Sequence, residues 1–263
     1  MYESTNIFYN GVSSYSLGLL FVKFNNQDNS EVFLTDRNVI SDRIQKNNSH
    51  KSQSYIYGVK REQRKFTAEF YCDAFTEAKK SQVAKWLDTG TFAPFYSDDN
   101  VEKIYYCTMS GSPKFVTNGT QGIVSVDMIC QDEYSYSTLK TNTYDYSLTS
   151  GVQTATITNS GDVKTSPVII LTVVGVDHSV IIQNQSNYNQ TLTMQTDTSG
   201  NQLLDTEIIT IDCNKEIITT DRLGVLRYDN MVGNFLDFAL GVNTIKVTGN
   251  CKLTFKHQNK FLT

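Results

Sequence analysis

The stretch Phe66-Thr-Ala-Glu-Phe-Tyr-Cys72, followed after three residues by Thr76-Glu-Ala-Lys-Lys-Ser-Gln-Val-Ala-Lys-Trp-Leu-Asp-Thr-Gly90, changes period in mid-course. In the first half Phe66, Ala68, Phe70 and Cys72 recur at every second position, which places them on one face of a strand. In the second, Val83, Trp86 and Leu87 fall at i, i+3 and i+4, a stripe that lets a helix pack on a sheet. Thr76 is a helix N-cap, Glu77 suits the positive end of the dipole, and Gly90 is a stop signal. Trp86, the single tryptophan, reads as core rather than as a ligand platform. This strand-then-helix sets an α+β character for the region around it.

Upstream, Ile7-Phe-Tyr-Asn10-Gly11-Val12 reads as a hairpin, because Asn and Gly tolerate the positive φ of a two-residue turn. Leu17 to Phe24 continues as a strand. Residues 25–30 are a polar loop. Residues 38–54, rich in Ser, Asn, Arg and Lys, form a longer polar stretch that is expected to be either mobile or ordered by a partner. Downstream, Thr91 to Tyr96 is extended and Asp98-Asp99-Asn100 turns. Ile104 to Met109 and Gly122 to Cys130 are strands, the second with Val124, Val126 and Met128 on one face.

From Asp132 to Ser150 no core pattern persists, and the run reads as a linker or exposed strand. Beyond it helix signals fade. Short strands recur between turns: Ala155 to Thr158, Val168 to Val176, Val180 to Ile182, Gln190 to Gln195, Glu207 to Asp212, Glu216 to Thr219, Asn243 to Thr248 and Lys252 to Lys256. That spacing predicts a β-sandwich. The chain divides near residue 138 into an α+β domain, 1–138, and an all-β domain, 139–263. Each side carries −2: 14 basic and 16 acidic residues before the cut, 9 and 11 after it.

Composition narrows the classes. The chain has 263 residues, 39% hydrophobic and 19% charged, with a net charge of −4. Both fractions are low for a globular protein, and uncharged polar residues fill the gap, which suits strands. Aromatics at 11% exclude a disordered chain, and the mild negative charge gives no nucleic-acid footprint. Apolar runs are strand-sized, and Met1 to Thr5 lacks the basic start of a secretory signal. The five cysteines, Cys72, Cys107, Cys130, Cys213 and Cys251, show no C-x-x-C spacing. They read as reduced packing residues of a protein made in cytoplasm.

Candidate chemistry is sparse. No G-x-S-x-G, S-x-x-K, H-E-x-x-H or phosphate-cradling glycine loop occurs. His50, His178 and His257 lie in a polar stretch, a turn and a terminal strand; Asp177-His178 offers a base and its orienter, but no Ser or Cys motif points to it, and a satisfied turn or surface histidine is the better reading. The acidic groups Asp98-Asp99…Glu102, Asp127 and Asp132-Glu133 sit at turns, without the apolar setting that raises a carboxyl pKa. The rhythm of a calcium loop is missing from Asp98, Asp99 and Glu102. Lys60-Arg61…Arg64-Lys65 reads as a solvated rim or an interface ion-pairing patch. Tyrosines at 55, 57, 105, 106, 134, 136, 144 and 146 suit protein interfaces, which favour rings that are apolar with a polar tip. The expectation is a non-enzyme with no catalytic, cofactor or metal site residues.

Several patches together resemble the distal tail protein family of siphophages, the long-tailed, non-contractile bacteriophages, that infect Gram-positive bacteria. Phe8-Tyr-Asn-Gly11-Val-Ser-Ser-Tyr-Ser-Leu-Gly18 resembles the family's opening hairpin. Arg64 to Cys72, Ala84-Lys-Trp-Leu87, Phe95 to Asp99 with Ile104-Tyr-Tyr106, and Val124 to Tyr136 resemble its tube-like core. Ile157-Thr-Asn-Ser-Gly161 with Ser166-Pro-Val-Ile-Ile170 is similar to the start of its second domain. Ile209 to Cys213, Gly233-Asn-Phe-Leu236, Gly241 to Ile245 and Thr248-Gly249 to Leu262 resemble its end. The resemblance implies a mainly β fold: an N-terminal split β-barrel with one helix, tail-tube-like, plus a C-terminal galectin-like β-sandwich. It implies a hexameric ring, a homo-hexamer at the virion tail tip assembled in the host bacterial cytoplasm. Its partners would be the major tail tube protein, the tape measure protein, the tail fibre or tail-associated lysin, and receptor-binding proteins, with DNA passing through the channel. The alternative is a carbohydrate-binding module holding wall sugar on Tyr188 or Tyr228. A wall hydrolase has no acid/base pair to support it.

Overall fold

The computed structural model describes residues 6–22, 45–46, 55–56, 63–148, 151–175 and 179–262. Residues 1–5, 25–30, Lys60-Arg61, His50, Tyr57 and Asp177-His178 lie outside these, as does most of 38–54. The chain forms two compact units, Met1–Tyr136 with Leu262–Thr263, and Ser137–Phe261. It is mainly β, with one α-helix among the described residues.

In the first unit β1 (Ile7–Tyr9) and β2 (Val12–Ser13) make the expected hairpin. Asn10 and Gly11 hold φ of 51° and 74°, the pair of positive values a type I′ turn requires. The strand expected over Leu17 to Phe24 is instead interrupted. Tyr15–Leu17 is a 3-10 turn, Gly18 takes the left-handed conformation, and β3 covers Leu20–Phe21. The Ser14 carbonyl accepts the N–H groups of both Leu17 and Leu19. That reversal sends Leu19 fully into the core, which an extended path would not do. β4 (Gln45–Lys46) and β5 (Tyr55–Ile56) pair with each other within and beside the polar 38–54 stretch.

β6 (Lys65–Cys72) buries Ala68, Phe70 and Cys72 and leads to α1 (Glu77–Leu87). The Thr76 side chain accepts the Lys79 N–H at the N-terminus, as expected. The helix ends at Leu87, three residues before Gly90, with the Asp88 N–H bonded to the Ala84 carbonyl. Then follow β7 (Ala93–Ser97), β8 (Asn100–Met109), β9 (Lys114–Thr117), β10 (Gly122–Cys130) and β11 (Ser135–Tyr136). β9 gave no sequence signal, because all four of its residues are exposed and nothing alternates.

The antiparallel path β2-β1-β7-β8-β10-β6-β3 forms a curled half-barrel sheet. β10 pairs with β6 over eight positions, from Gly122↔Cys72 to Ile129↔Lys65. Its other edge is shared by β9 and β8. The buried face of this sheet and α1 make one core, in which Trp86 meets Tyr9 and Phe70 edge-on at 5.9 and 5.4 Å. The Trp86 indole N–H donates to the Tyr9 carbonyl at 3.1 Å, so the core role expected of it carries a polar anchor as well.

The second unit contains β12 (Lys140–Asp145), β13 (Val152–Asn159), β14 (Val168–Val173), β15 (Val180–Asn184), β16 (Gln190–Met194), β17 (Ile208–Asp212), β18 (Ile217–Thr220), β19 (Met231–Gly233), β20 (Gly241–Thr248) and β21 (Cys251–His257). They form two five-stranded sheets, β12-β21-β14-β17-β18 and β13-β20-β15-β16-β19. Inward residues of both, among them Ile169, Leu171, Ile182, Leu192, Ile245 and Phe255, make a single apolar cluster. The sheets therefore face each other as a sandwich. Of the two readings left open for 132–150, the exposed strand is the one observed: β12 is an edge strand, half-buried on alternate residues. All five cysteines are free and buried, as expected.

Replacing Trp86 with Ala removes its ring and the bond to Tyr9, and is expected to cost about 3–5 kcal/mol. Trp86→Phe keeps most of the volume and is expected to cost about 1–2 kcal/mol. Urea unfolding followed by circular dichroism measures both.

Candidate functional site

The residues singled out for chemistry are distributed as structural groups. Asp98, in the β7–β8 turn, accepts the N–H of Asn6, the residue just before β1, at 3.1 Å. Asp127 accepts the Thr67 hydroxyl at 2.6 Å from the neighbouring strand. Asp132 accepts the Tyr134 N–H and the Tyr136 hydroxyl. The cation of Arg64 lies over the Tyr105 ring at 5.1 Å. Tyr106 packs edge-on to Tyr136 at 5.3 Å, and Tyr144 stacks on Tyr146 at 6.0 Å. Most of the tyrosines read as interface material thus pack within their own unit. Among the described residues no three His, Cys, Asp or Glu side chains gather as a metal site.

His257 lies in the terminal strand expected for it. It is 3% exposed at the end of β21, its ring edge-on to Phe238 at 5.2 Å. Alternation along Lys252 to His257 puts it inward with Leu253 and Phe255. Burial pushes its imidazole below the usual value of 6.5.

Two surfaces stand out for what they expose. In the first unit β9 shows Phe115 and Val116, 36% and 67% exposed, on a strand whose sheet partner among the described residues is β10 alone. A strand exposed on both faces offers backbone and side chains to a neighbour. In the second, the segment from Asp221 to Asn230 carries Leu223 and Leu226, 103% and 81% exposed. Fully exposed leucines on a firmly held segment suit a contact surface.

That segment is held from below by a buried ion pair. Arg227 donates to both carboxylate oxygens of Glu207 at 2.8 Å, with the side chains 3% and 0% exposed. The Thr220 hydroxyl and Leu204 N–H complete the shell of Glu207. Arg227 also donates to Asn230, whose amide reaches the Gln195 and Asn201 carbonyls. Burial pushes the Glu207 carboxyl up, but the bonds from Arg227, Thr220 and Leu204 outweigh it and hold the group below its usual range. Neither residue carried a signal in the sequence, since they lie 20 positions apart and no motif joins them.

Tyr188 and Tyr228, the sugar-stacking candidates, are not joined by any described contact. Tyr188 is fully exposed at the β15–β16 turn. Tyr228 accepts the Ile218 N–H with its hydroxyl and is tied to β18.

Fold and surfaces together define a mainly β protein of two units. Comparisons with known proteins place it among phage-related chains. Residues 2–132 match the family described as phage tail protein N-terminal domain. The chain is 27% identical over 262 residues to the SPbeta prophage-derived uncharacterized protein YomH of Bacillus subtilis (strain 168), covering 99% of each. The crystal structure of SPP1 Dit superimposes with a TM-score of 0.67 at 16% identity, covering 99% of this chain and 100% of that one. That protein is described as a paradigm of the hub adsorption apparatus in phages infecting Gram-positive bacteria. The chain thus shares the fold of SPP1 Dit over nearly its whole length, and its residues 2–132 resemble a phage tail protein domain.

Substitutions at two buried sites test this chemistry. Glu207→Gln leaves the Arg227 charge buried without its counter-charge and is expected to cost about 3–5 kcal/mol, whereas the double change Glu207→Met with Arg227→Met is expected to cost less. For His257 the unfolded chain takes up a proton near 6.5 and the folded one at lower pH. Its contribution is therefore full above that value and declines as pH falls below it, by at most about 1.4 kcal/mol per pH unit. His257→Leu is expected to flatten the stability profile between about pH 7 and 5, read by urea midpoints across that range.

Proposed function

We propose that this chain is a structural hub of a phage adsorption apparatus, placed at the tip of the tail in the virion. The observation that carries the reading is the end-to-end likeness to SPP1 Dit, over 99% of this chain. In this reading residues 1–138 are the tube-like, ring-forming domain and 139–263 a galectin-like sandwich. The chain closes as a hexamer, joins the tail tube to the tail fibre or tail-associated lysin, and anchors receptor-binding proteins. Its role is mechanical and organisational rather than catalytic.

The physics supports it. A closed ring of identical chains needs two different patches on each subunit. β9 in the first unit is exposed on both faces and supplies one candidate patch. A channel for DNA must not grip phosphates, and a net charge of −4 agrees with that requirement.

Light scattering on the purified chain is expected to give a particle near six times 29.7 kDa, roughly 180 kDa, with a central hole by negative-stain imaging. Val116→Asp is expected to change monomer stability by less than about 0.5 kcal/mol and to shift the particle toward smaller species. A monomer at every concentration that binds purified wall polysaccharide, and loses that binding with Tyr188→Ala, would overturn the hub in favour of a carbohydrate-binding module.

A further inference from the structure

Cys107 of β8 and Cys130 of β10 stand directly opposite each other in the antiparallel register. The next pair along is the hydrogen-bonded one: the Gln131 N–H donates to the Tyr106 carbonyl at 2.8 Å. The Cys130 N–H turns away, to the Arg64 carbonyl at 2.8 Å. The pair 107–130 therefore occupies a non-hydrogen-bonded site, where Cα atoms are about 4.5 Å apart and side chains approach most closely. A disulfide spans about 4.4–6.8 Å between Cα atoms. Opposed residues project from the same face, and both thiols enter one core, 0% and 1% exposed.

No other cysteine competes in this unit. Cys72 is opposite Gly122, at the far end of β10, eight positions from Cys130 and about 26 Å along the strand.

We propose that Cys107 and Cys130 are a modification site, a buried dithiol that closes into a cross-strand disulfide when the chain meets a small-molecule disulfide such as oxidised glutathione. One thiolate attacks a glutathione sulfur and releases the other half as a thiol. The second thiolate then attacks the mixed disulfide and releases the remaining glutathione. Two protein thiols lose two protons and two electrons, and one glutathione disulfide becomes two thiols. Burial disfavours both thiolates, pushing Cys130 to about 12. The reaction therefore proceeds through local opening of the core and is slow in the closed state. Once formed, the bond ties β8 to β10 around the intervening β9 hairpin and restricts the unfolded chain. The inference does not depend on the hub reading.

The test holds the full chain in urea below its unfolding midpoint, with and without oxidised glutathione, before N-ethylmaleimide is added under full denaturation. Digestion and mass spectrometry without reduction follow. The expected result is three alkylated cysteines in place of the five free thiols, and a linked pair of peptides containing Cys107 and Cys130, two hydrogens lighter than their sum. The oxidised chain is expected to unfold at a higher midpoint than the reduced one, and Cys107→Ala to give no linked peptides, with Cys130 recovered either alkylated or as its unresolved glutathione mixed disulfide. Five alkylated cysteines after prolonged oxidation, or a linkage through Cys72, would overturn the proposal.

Discussion

β10 is the strand on which the first unit depends. Its nine residues alternate between the core and the outer face, and its two edges carry β6, β8 and β9. Each inward residue, Val124, Val126, Met128 and Cys130, is at most 2% exposed. A slip of one position in its register would turn that entire set outward. Eight consecutive pairs with β6 resist the slip, and the inward face is closed by Trp86, Val83 and Leu87 of α1. Hairpin, helix and half-barrel are then consequences of covering one face of a sheet built around this strand.

In the second unit the apolar cluster accounts for the sandwich, while buried polar side chains fix the irregular segments. Asn184, Asn243 and Asn159 are all at most 1% exposed. Their amides bond the backbone at Asp237, Ala239, Gly241, Val163 and Phe238. Loop carbonyls that would otherwise be buried unpaired are satisfied in this way. Beneath the segment bearing Leu223 and Leu226, Arg227 pairs with Glu207 and holds Asn230, whose amide satisfies the Gln195 and Asn201 carbonyls. A loop built like this presents apolar side chains to solvent without collapsing onto them, which is what a docking protein requires and what a catalytic site does not.

The candidate surfaces were the least legible part of the chain. Tyrosines are the residues expected at interfaces, yet Tyr136 and Tyr144 both bond within their own unit. β9 was invisible because exposure on both faces erases the alternation by which strands are recognised. Asp98 and Asp132 lie at turns as read and bond Asn6 and Tyr134, whereas Asp127 lies within β10, not at a turn, and bonds Thr67 on the neighbouring strand. His257 was legible as a residue of a terminal strand, and its alternation with Leu253 and Phe255 is what turns it inward.

What the sequence determined alone was local: the Asn10-Gly11 hairpin, the capped helix over Glu77 to Leu87, the inward faces of β6 and β10, and the train of short strands after residue 150. These follow from backbone periods of 2.0 and 3.6 residues and from which residues accept a positive φ, and both act over a few positions. The tertiary structure alone decided the break at Gly18, the pairing of Glu207 with Arg227, and the meeting of Cys107 with Cys130. Each joins groups that strand order and register bring together across loops, and neither order nor register is written in any short window of the chain.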